Sequence, residues 1–330
     1  MKKFDVYGIG NALVDLEFKV SDEFIEENEV PKGLMTLVDD EKQHQLISAI
    51  DHHETKKKSG GSAANTVIAV SQFGGKAFYS CKVANDEFGD FYLTDMKDAG
   101  VTTNLDGITR EDGTTGRCLV MITDDADRTM NTFLGITTDL STQEVSEADI
   151  KDSEYVYLEG YLVTSDSAFE AMKLTKKIAE ENGVNTSITL SDPSIVGAFR
   201  DRFSEVIGAS VDLLFCNEEE ALAYTQTNDL MEAREALKKD ARRFVITQGK
   251  NGAMIFDGDT FIDIEPYKVN AVDTNGAGDM YAGAFLYGLT HGFGYAGSGK
   301  LASLASSKVV SQYGPRLKWH EVQEILNHLK

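Results

Sequence analysis

The sequence predicts an α/β fold, a doubly wound, mostly parallel sheet flanked by helices, with a small β-rich lid. Three observations carry this reading. Short runs rich in Val, Ile, Leu, Phe and Tyr recur along the chain, each followed by a stretch of helical character. Strand then helix, repeated, implies parallel strands joined by helical crossovers. Two segments break that rhythm with the period-two alternation of half-exposed strands. The connections are short and leave no linker, so residues 1–330 are expected to form one domain, its lid drawn from about 12–38 and 104–138.

Element by element, the chain opens on a strand from Phe4 to Gly10, because Asp5 interrupts the apolar stretch after Met-Lys-Lys too early for a signal peptide. Leu13 to Val20 alternates like a half-exposed strand. Lys56-Lys57-Lys58 reads as a solvated loop or, alternatively, as a phosphate contact, before the helix Ala63 to Phe73. A second helix spans Phe88 to Ala99, and a hairpin pairs Arg117 to Thr123 with Thr129 to Leu134 across Asp124-Asp125-Ala126-Asp127. Strands then follow at Tyr155 to Val163, Ser187 to Leu190, Asp212 to Cys216 and Arg243 to Thr247. Their helical partners are Ala168 to Glu181, Glu219 to Tyr224 and Leu230 to Asp240, and helices at Gly276 to Thr290, Lys300 to Gln312 and Trp319 to Leu329 close the chain.

Composition excludes several classes. A formal charge of −22 leaves no basic stripe for nucleic acid. No run approaches the ~18 apolar residues of a membrane span. Cys81, Cys118 and Cys216 are odd in number and lie far apart in apolar contexts, as free core thiols do, so a cytoplasmic setting is expected. The His52-His53 pair in a charged loop reads as exposed and not metal-ligating.

The chemistry concentrates in Asp273-Thr-Asn-Gly-Ala-Gly-Asp279. Gly276, Ala277 and Gly278 have little or no side chain, so a phosphate could approach their N–H groups at the mouth of the helix that follows. Asp279, in the first turn, would accept a proton from an attacking hydroxyl. Gly60-Gly61-Ser-Ala-Ala-Asn65 is a glycine pair entering a helix, with Asn65 offering both a donor and an acceptor. Asn11 and Asp15 follow the first strand, where open α/β sheets bind ligands. Asp15, between Val14 and Leu16, must be paired or bind something polar. Asn217 and Glu220, directly after a strand, suit a hydrated magnesium ion or, alternatively, an acidic helix start. Thr247, Gly249 and Gly252 form a small-residue loop after a strand.

Two other glycine runs are decoys. Gly294 to Lys300 mimics a phosphate-binding loop, but it follows a helix and has Leu301 where magnesium binding needs Ser or Thr. Gly8-Ile-Gly10 mimics a dinucleotide fingerprint, but its third glycine position holds Leu13.

Taken together, the motifs at 273–279, 60–65 and 217–220 resemble the ribokinase-like (pfkB) family of carbohydrate and nucleoside kinases over essentially the whole chain. The resemblance is nearest to its adenosine kinase branch, through Gly10 to Leu16, Val20 to Ile25, Arg128 to Gly135 and Gly160-Tyr161-Leu162. It implies Asp279 as the base and Gly276, Ala277 and Gly278 as the anion hole. It implies Asn11, Leu13, Asp15, Gly60, Gly61, Asn65, Arg128, Met130 and Tyr161 around the acceptor, with Arg128 closing over the phosphates from the lid. Asn217, Thr247, Gly249, Gly252, Asp273 and Gly314 would carry the nucleotide, and Glu220 with Asn217 would hold magnesium through water. ATP and Mg2+ are the implied cofactors, with a monovalent cation as a further candidate. The implied partner is a small nucleoside, adenosine favoured, or a sugar of the ribose or fructose type, in a monomer or lid-mediated homodimer. Ser80-Cys81-Lys82-Val83 and Asn275 depart from the residues usual at those places in the family.

Overall fold

The computed structural model describes residues 2–50, 56–125 and 128–328. The His52-His53 pair and the hairpin residues Ala126 and Asp127 lie outside the described residues. In chain order the strands are β1 (Phe4–Ile9), β2 (Leu13–Lys19), β3 (Met35–Leu37), β4 (Lys56–Gly60), β5 (Ala77–Ser80), β6 (Val101–Thr103), β7 (Gly116–Ile122) and β8 (Arg128–Phe133). They continue as β9 (Ser153–Leu158), β10 (Asn185–Thr189), β11 (Leu213–Asn217), β12 (Phe244–Thr247), β13 (Ala253–Phe256) and β14 (Phe261–Ile264). Nine make one sheet, in the order β14-β13-β12-β11-β10-β9-β1-β5-β6, and five make a smaller sheet, in the order β3-β8-β7-β2-β4. The large sheet is parallel from β12 to β6 and antiparallel only at its β12-β13-β14 edge.

Alternate residues of the central strands feed two apolar layers, as a sheet covered on both faces requires. Val6, Tyr157, Phe215 and Val245 meet Phe285 and Leu301 in one layer, while Tyr7, Val156, Leu214 and Ile246 meet Met172 and Phe203 in the other. Each such fully buried side chain contributes about 1.5–3 kcal/mol. Among the described residues no helix is long and apolar enough to cross a membrane.

In the small sheet, β2 pairs antiparallel with β4 and parallel with β7. Leu13, Asp15 and Glu17 therefore share a face with Gly60, Lys58 and Lys56 on one side and with Gly116, Cys118 and Val120 on the other. Val14, Leu16 and Phe18 point the opposite way, into the core.

Three expectations are corrected. Lys56-Lys57-Lys58 is not a loop but most of strand β4, because pairing with β2 supplies the backbone partners while the lysines find acids or solvent at the edge. The strand expected to reach Val163 stops at Leu158, and Gly160–Thr164 forms a 3-10 turn, with Gly160 so close to β10 that a Cβ there would lie 2.4 Å from the Thr189 carbonyl oxygen. The final helix pair begins earlier than expected, since Gly294–Val310 is one helix and the decoy glycine run is its start. A helix absent from the sequence reading, Pro193–Ile207, is capped by Asp192, whose carboxylate accepts from the Ser194 and Ile195 amides.

Candidate active site

Two helices assemble the centre of the site. Ser62–Gln72 and Ala277–Thr290 lie side by side, their N-termini at the same end. They approach closely because Gly283 has no side chain, and a Cβ there would fall 2.4 Å from the Thr66 carbonyl oxygen. One turn earlier on each helix stand Asp279 and Ser62. Ser62 Oγ donates to Asp279 Oδ1 at 2.6 Å, and Asn65 Nδ2 donates to Oδ2 at 3.0 Å. Burial pushes the Asp279 carboxyl up to about 6, against the lowering effect of those two bonds. Such a group is largely ionised at neutral pH yet close enough to it to exchange a proton.

The run expected to form an anion trap opens the second helix, but its Ala277 amide is already engaged, donating to the Thr274 carbonyl oxygen at 3.2 Å. Gly276 is its N-cap at φ +75°, a left-handed conformation that leaves its missing Cβ facing Pro315. The helical ladder begins with Met280 N donating to Gly276 O at 2.9 Å, so the Gly278 and Asp279 amides belong to the first turn, which has no ladder partners. A Cβ on Gly278 would meet no atom within 4 Å, which leaves this turn open to a ligand. Asp273 ties the loop down. Its Oδ1 accepts from Asn275 N at 3.1 Å, and its Oδ2 accepts from Gly314 N at 2.9 Å and from Arg128 Nη1 at 2.7 Å. Arg128 also donates through Nη2 to Glu17 at 3.0 Å, so it links the small sheet to the trap loop.

On the acceptor side, Gly61 caps the first helix at φ +107°, with the Asn11 carbonyl oxygen 2.1 Å from where its Cβ would be. Asp15 is half-buried against Gly60, where a Cβ would lie 2.4 Å from its Oδ1. Burial pushes the Asp15 carboxyl up to about 7, Arg316 opposes this, Glu17 adds to it, and Arg128 and Lys58 oppose it further. Leu13 packs on Gly116, and Met130 stands on β8 opposite Val120. Tyr161, half-buried in the 3-10 turn, has its phenol raised by burial and by Asp192, Asp279, Glu159 and Glu220.

Two residues that sequence reasoning did not single out complete this side. Ser62 opens the first helix just after its Gly61 cap and turns its hydroxyl to Asp279. Glu159 is buried between β1 and the first helix, where its Oε1 accepts from Asn11 N (3.1 Å) and Nδ2 (2.8 Å) and its Oε2 accepts from Ala63 N (2.8 Å). Burial raises it to about 7 despite those three bonds. Its signal was available, since an acid directly after β9 stands at the carboxyl edge of the sheet where ligands bind.

On the donor side, a cavity of about 680 Å³ is lined by Thr247, Gly249, Gly252, Thr274, Ala277 and Gly278, and closed by Tyr281, Ser303, Ser307 and Val310. Ala277 and Gly278 thus border this cavity, while the Asp279 carboxylate turns toward Ser62 and Asn65. Asn217 and Glu220 form a reciprocal cap. Asn217 Oδ1 accepts from Glu220 N at 2.8 Å, and Glu220 accepts from Asn217 N at 3.0 Å and Nδ2 at 2.8 Å. Burial lifts Glu220 to about 7. Among the described residues no group of three or more His, Cys, Asp or Glu is placed to hold a metal ion.

A helix start open to a ligand, an adjacent buried carboxylate and a cavity beside them are an arrangement suited to phosphoryl transfer to a hydroxyl. The family model "pfkB family carbohydrate kinase" matches residues 33–321, and the chain belongs to that family. An adenosine kinase from Sinorhizobium meliloti has a similar structure, with a TM-score of 0.89 and 34% identity, covering 99% of both chains. An adenosine kinase from Dictyostelium discoideum is 28% identical, covering 95% of this chain and 96% of its own. A 5-dehydro-2-deoxygluconokinase from Halalkalibacterium halodurans is 27% identical, covering 98% of this chain and 94% of its own. The protein is therefore a kinase with an alcohol group as acceptor, from a family whose members take both nucleosides and sugars.

Proposed function

We propose that the protein is an ATP- and Mg2+-dependent kinase that phosphorylates the primary 5′-hydroxyl of a nucleoside, with adenosine favoured. The observation that carries this is the position of Asp279, bonded by Ser62 and Asn65 on one side and followed from the trap amides into the donor cavity on the other. Asp279 takes the proton of the acceptor hydroxyl. The first-turn amides at Gly278 and Asp279, with the positive end of the helix behind them, stabilise charge on the transferring phosphoryl group. Asp15 accepts from the vicinal hydroxyls of a ribosyl group, with Asn11, Gly61 and Asn65 around it.

The donor cavity fits a nucleotide, since small residues line the wall where phosphates would approach the backbone. Asn217 and Glu220 fit a magnesium ion held through water, because their mutual cap leaves further lone pairs on each oxygen and magnesium keeps most of its hydration shell. When bound, the ion neutralises charge on the donor phosphates.

The nucleoside reading rests on Leu13, Cys118, Val120 and Met130, which set an apolar strip beside Asp15 suited to a flat ring. The kinship with the 5-dehydro-2-deoxygluconokinase supports the second reading, a sugar acceptor in the same place. A panel of nucleosides and sugars assayed for ADP release separates the two. Asp15→Ala should damage every acceptor, while Tyr161→Ala should damage nucleosides far more than free ribose. A higher specificity constant for ribose or fructose than for adenosine, inosine or guanosine replaces the first reading with the second.

A further inference from the structure

The three-lysine run before Gly60-Gly61 has no part in the function so far. Its placement in β4 gives the three side chains different fates. Lys57 turns to the outer face, where it pairs with Glu87 and lies over the Phe88 ring. Lys56 stands exposed opposite Glu17. Lys58 lies directly opposite Asp15, on the face that looks toward the acceptor, and is half-buried.

Lys58 has no hydrogen-bonded or ion-pair partner among the described residues, although the chain carries 54 acidic side chains. Its ammonium rests against Gly314, where a Cβ would come within 2.5 Å of Nζ. The Gly314 amide is bonded to Asp273, the first residue of the trap loop, and the neighbouring Pro315 packs on Gly276, the trap's own N-cap. Lys58 makes no close ion pair, and its charge acts on Asp15 only at a distance, so a half-buried ammonium beside the trap loop keeps its donors available for an anion arriving there.

We propose that Lys58 is a catalytic residue that binds the transferring phosphoryl group at the junction of the acceptor and donor sites. As the acceptor oxygen forms its bond to phosphorus and the bond to the donor's leaving oxygen breaks, the acceptor proton goes to Asp279. Lys58 keeps its own protons and neutralises charge on the equatorial oxygens. Gly314 stands at φ +90°, where glycine is favoured, and a Cβ there would in addition displace the ammonium.

The inference rests on the phosphotransfer reading of the site and is tested beside it. Lys58→Met and Lys58→Arg are compared with the unaltered protein on whichever acceptor of the panel turns over fastest. Lys58→Met should lower kcat by about 10²-fold, with KM for acceptor and ATP within about threefold, and Lys58→Arg should recover at least a tenth of the activity. By calorimetry, Lys58→Met should weaken binding of adenosine 5′-monophosphate, or of ribose 5-phosphate if ribose is the acceptor, while the unphosphorylated partner binds as before. A kcat within threefold of the unaltered protein overturns the proposal. Equal weakening of phosphorylated and unphosphorylated ligands also overturns it and makes Lys58 an acceptor-binding group. A loss seen only with carboxylate-bearing sugars does the same in favour of an acid-reading role. Absence of turnover by the unaltered protein on every acceptor would instead remove the kinase reading itself.

Discussion

As the proposed base, Asp279 has two demands on it: to be ionised enough to accept a proton, and buried enough to do so near neutral pH. Its raised value of about 6, held down from higher by Ser62 and Asn65, meets both. Asp279→Asn should lower turnover by at least ~10²-fold while ATP affinity stays within a few fold, and near-normal turnover would exclude it as the base. The rate of the unaltered enzyme should fall as pH drops through about 6, because the base is then protonated. Ser62→Ala removes a bond to the ionised form and should move that acid limb to higher pH. Glu220 presents a different choice. Its carboxylate is occupied by Asn217 in a helix cap, so Glu220→Gln should raise the magnesium concentration needed for half-maximal rate only if the same group also faces the ion. A variant that loses melting temperature but keeps its magnesium titration would show the cap to be its whole role. At this scale the sequence was most informative where small residues and an acid stand in one run, as at 276–279. It was silent on the Ser62 bond, which joins residues 217 positions apart, whereas Glu159 carried a local signal in its place directly after β9.

At the level of elements, the close packing of Ser62–Gln72 on Ala277–Thr290 sets the distance between Asp279 and the residues proposed to hold the acceptor. Gly283 is where the two backbones nearly touch. Gly283→Ala places a methyl 2.4 Å from the Thr66 carbonyl oxygen, so the helices must separate. The change should cost about 1–3 kcal/mol by overpacking and lower kcat more than it raises either KM. A melting temperature and turnover both unchanged would mean that the pair adapts without moving Asp279. The large sheet was legible because its strands are buried on both faces and read as short continuous apolar runs with helices between them. Strand β4 was not, since a half-exposed edge strand made of Lys-Lys-Lys-Ser-Gly owes its form to pairing with β2 and not to its own residues. The Pro193–Ile207 helix was missed despite a local signal, Asp192 as cap and Pro193 in the first turn.

Across the whole molecule, charge and burial work in the same direction as pH changes. Asp15, Glu159 and Glu220 are lifted to about 7 and Asp279 to about 6, all chiefly by burial. In the unfolded chain such groups titrate near ~4. Between ~4 and ~7 the folded protein therefore holds more protons than the unfolded one, and stability falls as pH rises through that window. Asp95, lowered by Arg316 and Ser59 against the effect of burial, has the opposite sign, but its contribution is lost only at more acid pH. The formal charge of −22 adds self-repulsion that also grows as carboxylates ionise, and high salt screens it while leaving the buried groups nearly untouched. Melting temperature without nucleotide or acceptor, measured in about 0.5 M salt, should thus decline from pH 5.5 to pH 8. Asp15→Asn should flatten the decline, because the amide fills the same space beside Gly60 without titrating. A melting temperature that climbs between pH 6 and pH 8 at high salt, or a slope unchanged in Asp15→Asn, would mean that the cleft carboxylates are solvated well enough to keep ordinary values. The raised value proposed to ready Asp279 for proton transfer would then have to come from the acceptor's arrival and not from the fold.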